Sequence, residues 1–302
     1  MTGTKVIKLN LEDGGSAEKL PKLMDSGVED VVKAFTEVKF KSVDEYYGLV
    51  TDRVRDFDVT QLQLQRVLNS IEAQAGSRKF FERDAGLFLT ALIQTSDRDE
   101  FALEPTMPIG YLGHKLAGGK KITVKGNVGN QIGHLMQDGT VIIEGSAQNF
   151  TGYEMTGGEI IIKGDVGAST GNNMRGGKIH VIENAGDLTA QRMAGGMIEV
   201  DGKVGHHTGE NMQAGTIKVK GDAGVGTGCG MEGGLIELGG NAGANTGELM
   251  RGTGKIIVNG KIESISSEYS TGEIWEGSTK MRPTKVGEVI GKFGDMMRKT
   301  GL

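Results

Sequence analysis

Cysteine is almost missing: Cys229 stands alone in 302 residues. One thiol excludes an internal disulfide framework, a thiolate zinc site and a self-contained iron–sulfur cluster. Proline is nearly as scarce, with four residues, and aromatic side chains make up only 5% of the chain. No apolar run reaches the roughly 18 residues that a membrane-spanning helix needs. No long Lys/Arg run occurs either, and a net charge of −5 offers nucleic acid no electrostatic footprint. The opening MTGTKVIKLNLEDGG lacks the apolar core of a secretory signal. The expectation is a cytoplasmic protein that engages neither membrane nor nucleic acid.

What the chain has in their place is glycine, 51 residues of it, where an average protein has roughly 7%. No G-X-Y triplet runs through it, so collagen is excluded. Hydrophobic residues at 37%, with Ile and Val at fixed spacings, are not a disordered composition.

Two grammars divide the chain. Residues 1–105 read as a mostly α-helical domain after a short alternating segment at 6–11. Amphipathic patterns cover Asp30 to Phe40, Val43 to Phe57, Asp58 to Gln74 and Arg78 to Thr95. "SVDE" before the second is a capping-box-like start, with Ser42 as cap and Glu45 reaching back. The apolar faces are broad, which predicts packing on another domain or chain.

From 106 to 265 methionines fall at 136, 155, 174, 193, 212, 231 and 250, a constant 19-residue step. Three residues before each stands Gly133, Gly152, Gly171, Gly209, Gly228 or Gly247, with Ala190 as the exception. Four before comes a threonine column: Thr151, Thr170, Thr189, Thr208, Thr227 and Thr246. Each unit then enters an alternating strand such as Ile160-x-Ile162 or Ile217-x-Val219. A degenerate first copy carries Leu116 for the methionine, one residue out of phase.

Nineteen residues are too few for a helical hairpin but suffice for one turn of short strands and tight corners. The spacing predicts a mainly β fold, a parallel β-helix of about eight coils, with equivalent residues stacked about 4.8 Å apart. Ile, Val and Met columns form its core, glycines its corners, and threonines a hydroxyl ladder. Asn127, Asp165, Asp222 and Asn241, each after a corner glycine, read as turn formers. Residues 266–302 form a tail with an amphipathic capping helix at 286–297.

The stretches "GDVGASTGNNMRGGKIHV" and "GKVGHHTGENMQAGTIKVKG" resemble the G-X-G-X-G repeat family. That family includes the C-terminal β-helix of glutamate synthase and the β-helical subunit of formylmethanofuran dehydrogenase. The resemblance covers residues 108 to 265 and implies a right-handed β-helix that packs against catalytic domains and positions them. "MPIGYLGHKLAGGKKITVKGNVG" and "GKIIVNGKIESISSEY" look like the stand-alone third-domain subunit of archaeal-type glutamate synthases. Partners implied are glutaminase-type and FMN synthase-type subunits, which carry FMN and iron–sulfur clusters. The alternative set is formylmethanofuran dehydrogenase-type subunits with molybdopterin. Residues 1–100 match neither branch.

The residues themselves point to no catalytic, cofactor-binding or metal site. The five histidines, His114, His134, His180, His206 and His207, form no ladder at the 19-residue phase. Cys229 shares a variable column with His134, Tyr153, Asn172, Gln191, Glu210 and Glu248, expected to face solvent or a partner with no base beside the thiol. The function expected is therefore a non-catalytic scaffold subunit of a multi-subunit oxidoreductase or amidotransferase. Its rivals are a stand-alone enzyme with a surface groove and a self-assembling structural protein.

Overall fold

A computed structural model describes residues 19–39, 42–55, 57, 59–77, 80–266 and 271–281. The expected segments at 6–11 and 286–297 lie outside these residues. Among the described residues the first elements are α1 (Lys19–Glu37), α2 (Val43–Val54), α3 (Gln61–Glu72) and α4 (Phe81–Thr95). Ser42 caps α2, its hydroxyl accepting from Glu45 N at 3.2 Å. A complete capping box opens α3, on the T-x-x-Q stretch Thr60 to Gln63. Thr60 Oγ1 accepts from Gln63 N, and Gln63 Oε1 accepts from Thr60 N.

The remainder is a parallel β-solenoid. Its rungs are β1 (Glu100–Leu103), β2 (Lys121–Val124), β3 (Thr140–Ile143), β4 (Glu159–Ile162) and β5 (Lys178–Val181). They continue through β6 (Ala194–Val200), β7 (Ala214–Val219), β8 (Leu235–Leu238), β9 (Lys255–Val258) and β10 (Glu273–Glu276). All ten pair parallel in chain order, and a short antiparallel strand, β11 (Thr279–Lys280), closes the far edge. The solenoid thus makes about nine turns, one more than the repeat count. Its outer rungs β1 and β10 extend into the stretches expected to be helical domain and tail, where no methionine column marks them.

Register follows the columns. Phe101, Ile122, Val141, Ile160, Ile179, Ile198, Ile217, Ile236, Ile256 and Ile274 lie side by side, all buried. Across the interior a ladder of single bridges joins Ala147, Val166, Ala185, Val204, Ala223, Ala242 and Ile262. Small residues on that side keep the coil narrow.

Methionine and glycine fit each other between coils. Each column methionine is fully buried, contributing about 1.5–3 kcal/mol of burial. The Cε atoms of Met136, Met155 and Met174 occupy the space a Cβ would need at Gly158, Gly177 and Gly196, 2.7–2.8 Å away. A second glycine column makes room for isoleucine in the same way. A Cβ on Gly133, Gly152 or Gly171 would sit 2.3 Å from the Cδ1 of Ile160, Ile179 or Ile198. These glycines also hold φ near +70°, so both space and backbone demand them.

Two columns act differently from expectation. The threonines form no hydroxyl ladder between coils. Each hydroxyl donates within its own coil, Thr189 Oγ1 to Gly186 O at 2.8 Å and Thr246 Oγ1 to Gly243 O at 2.9 Å. That bond lies three residues back, within reach of a short side chain, whereas the next hydroxyl is a full coil away. The corner Asx residues do more than shape turns. Asn127, Asp165, Asn184, Asp222 and Asn241 each accept, through Oδ1, the backbone N–H of the equivalent residue one coil on, at 2.8–3.0 Å.

The helical unit covers the open first coil. Gln61 and Gln65, one turn apart on α3, rise by about 6 Å, close to the two-residue step of a strand. Their amides mimic a neighbouring strand: Ala102 N donates to Gln61 Oε1 at 2.7 Å and Glu104 N to Gln65 Oε1 at 2.9 Å, while Gln61 Nε2 and Gln65 Nε2 donate back to the same residues' carbonyls. Glu72, Thr90 and Gln94 accept from Thr106 N, Gly113 N and Ala117 N at 2.8, 2.9 and 3.0 Å. The broad apolar face of α4 is spent here, with Leu87 through Ile93 all buried. An exposed edge that would invite strand pairing is closed by side chains.

Two substitutions test this packing. Gly86→Ala raises helix propensity by about 1 kcal/mol, but its Cβ would lie 1.7 Å from Gly110 O. The expected net effect is destabilisation of about 2 kcal/mol or more by urea denaturation. Gly171→Ala should cost about 1–3 kcal/mol. Adding Ile198→Val removes the clashing Cδ1, so the double variant should be more stable than the sum of the two single losses predicts.

Candidate functional site

One corner of the solenoid carries side chains that the core does not use. Its backbone passes through three left-handed residues per coil. The first of them is Tyr111, Gln131, Phe150, Ser169, Leu188, His207, Gly226 or Asn245, with φ between 56° and 73°. Between the second and third sits the variable column, which begins at His114. The rest of that column is His134, Tyr153, Asn172, Gln191, Glu210, Cys229 and Glu248, mostly half-buried.

At the cap end this column is aromatic. His114 Nδ1 lies 3.2 Å from His134 Nδ1. Tyr47 of α2 meets the His114 ring edge-on at 4.8 Å, and Tyr111 meets His134 at 5.6 Å. Tyr153 and Phe150 continue the chain of rings outward. Beside it a cleft of about 480 Å³ opens between α4 and the first coils, lined by Phe80, Phe81, Arg83, Met107, Tyr111 and Asn130. Burial lowers the pKa of both imidazoles, His114 to about 3, and Lys115 pushes the same way, while Asp44 opposes the shift at both and Glu154 at His134. The His114–His134 pairing escaped the 19-residue phase because the first coil steps by 20; aligning Leu116 with Met136 would have revealed it.

Further along, the column becomes a chain of polar contacts. Asn172 Nδ2 donates to Gln191 Oε1 at 2.7 Å, and Gln191 Nε2 to Glu210 Oε1 at 3.2 Å. Cys229 follows Glu210 and precedes Glu248. Burial pushes its thiol above the ordinary value, and the Glu248 and Glu210 carboxylates push the same way. His207 Nδ1 lies 3.5 Å from Glu210 Oε2, so this imidazole faces a carboxylate.

The other histidines are placed apart. His206 is an exposed corner residue whose Nδ1 accepts from Val225 N at 3.0 Å. His180 lies on the outer sheet face, 3.3 Å from Asp201 Oδ1. Among the described residues no group of three or more His, Cys, Asp or Glu side chains has metal-binding geometry, and no helix is long and apolar enough to cross a membrane.

A thiol raised in this way is a poor nucleophile. Alkylation of Cys229 by iodoacetamide at pH 8 should run several-fold slower than that of a free thiol, and Glu248→Gln should accelerate it. A rate above that of the free thiol would contradict the electrostatics described. Compared with known proteins, the chain matches no family model and no curated protein.

Proposed function

We propose that this chain is a non-catalytic scaffold subunit of a multi-subunit oxidoreductase or amidotransferase, of glutamate-synthase type within the G-X-G-X-G repeat family. The observation that carries the reading is the use made of the repeat's polar residues. Asn127, Asp165, Asn184, Asp222 and Asn241 bond the next coil's backbone, and the threonines bond their own. Those Asx side chains are thus engaged in holding coil to coil, and the threonine hydroxyls in bracing their own coil.

A docking role draws on the cap end. Phe80 and Phe150, 53% and 37% exposed, are the exposed aromatic side chains among the described residues. Both adjoin the ring cluster around Tyr111 and Tyr153, with Arg83 stacked 4.5 Å over Phe80. Aromatic, Met and Arg side chains are the residues enriched at protein interfaces. Phe150 occupies a left-handed position that Gly226 and Asn245 fill elsewhere, so the fold itself does not ask for a ring there. On this reading FMN and iron–sulfur clusters reside on the partner subunits.

Purification at native expression level followed by mass spectrometry tests the proposal. A glutaminase-type and an FMN synthase-type subunit should come down in stoichiometric amount. Molybdopterin and amidohydrolase subunits would move the chain to a formylmethanofuran dehydrogenase-type complex. A lone, homogeneous protein would overturn the scaffold reading.

A further inference from the structure

The column that holds His114 and His134 accepts Tyr, Asn, Gln, Glu and Cys in later coils, so the corner does not require imidazole. The two histidines occur where the column meets the helical cap. His114 is fully buried and its Nε2 has no hydrogen-bond partner. Its Nδ1 faces His134 Nδ1 at 3.2 Å, a separation that holds one proton. A neutral pair satisfies it, one ring donating and the other accepting. With both rings protonated, two N–H groups and two like charges would face each other in a site with little water.

The surrounding groups offset that charge only in part: Asp44 favours the charged form of both rings and Glu154 that of His134, yet burial keeps both depressed. From α2 come Asp44 and Tyr47. Asp44 is bound to Lys115 Nζ at 2.6 Å, and the Tyr47 phenol, pushed up to about 12 by burial, stays neutral. From the coils come Tyr111, Lys115, Tyr153 and Glu154, of which the Glu154 carboxylate acts favourably on His134. Lys115 adds a further positive charge against both histidines.

We propose that the His114–His134 pair is a proton-sensitive latch between helix α2 and the first two coils, closed while neutral and opened when both rings take up protons. The sign follows from linkage. Both imidazoles are depressed when docked, so the open form binds protons more readily. The latch is fully closed above the ordinary imidazole value of about 6.5 and weakens as pH falls toward His114's docked value of about 3. At pH 5 His114 alone should favour opening by about 30-fold relative to neutral pH.

Hydrogen exchange of residues 43–54 and 109–117 reads this directly in the full chain. After correction for intrinsic rates, opening at pH 5 should be about 30-fold more frequent than at pH 7.5. The double variant His114→Asn with His134→Gln copies the Asn172–Gln191 contact found three coils on. It should keep α2 protected and show less than a 3-fold change over the same range. An unchanged acid response in that variant would place the latch elsewhere. If the variant does not fold, imidazole nitrogen resonances of the wild type decide: His114 remaining neutral at pH 5 supports the latch, and titration of both rings near 6.5 with α2 still protected rules it out.

Discussion

Everything in this molecule depends on how closely one coil can lie on the next. Neighbouring strands in a sheet sit about 4.8 Å apart, and side chains that bridge successive coils must fit within that spacing. Methionine Cε and isoleucine Cδ1 fit because the adjoining coil lacks a Cβ where they end, at Gly177 for Met155 and at Gly171 for Ile198. Glycine abundance is therefore a packing requirement as much as a conformational one. Ala190 is the exception that shows the tolerance of the rule: it holds φ at 62° inside the buried column, with Ile217 Cδ1 displaced toward Gly209.

A stack built this way has two weak points, its ends. The first coil is finished by helices instead of another coil, and the match is chemical as well as steric. Glutamine side chains one helical turn apart present amide groups at nearly the spacing of alternate strand residues, so α3 serves β1 as a pseudo-strand. At the far end β11, two residues long and bearing Lys280, leaves little edge to pair with. Lys280 also lies 5.9 Å from the Trp275 ring, which Lys255 approaches at 5.3 Å.

The corner column is where the fold stops dictating residue type. Its backbone bonds are made by neighbours above and below, so the side chain at each step is free to vary. What occupies it shifts along the axis, from an imidazole pair at the cap, through Tyr153, to an amide and carboxylate chain ending beside Cys229. Cys229 is not activated there: burial raises its pKa, and the column adds carboxylates above and below it that push the same way. Chemistry along this edge is governed by what stacks on what.

Periodicity by itself determined the solenoid, the registered columns and the inward and outward sides of nearly every rung, because a repeat forces equivalent residues into equivalent surroundings. It also located the helices, though not the capping box at Thr60 or the early start of α1 at Lys19. Where the period fails, at the 20-residue first step and at rungs without methionine, the sequence lost the His114–His134 pair and the outer strands β1 and β10. Only the tertiary structure decided which atoms meet between coils: that threonines bond inward, that Asx oxygens bond forward, and that Gln61 and Gln65 close an edge about 40 residues away in the chain. Those pairings depend on side-chain reach and direction across a 4.8 Å step, which a column of letters does not carry.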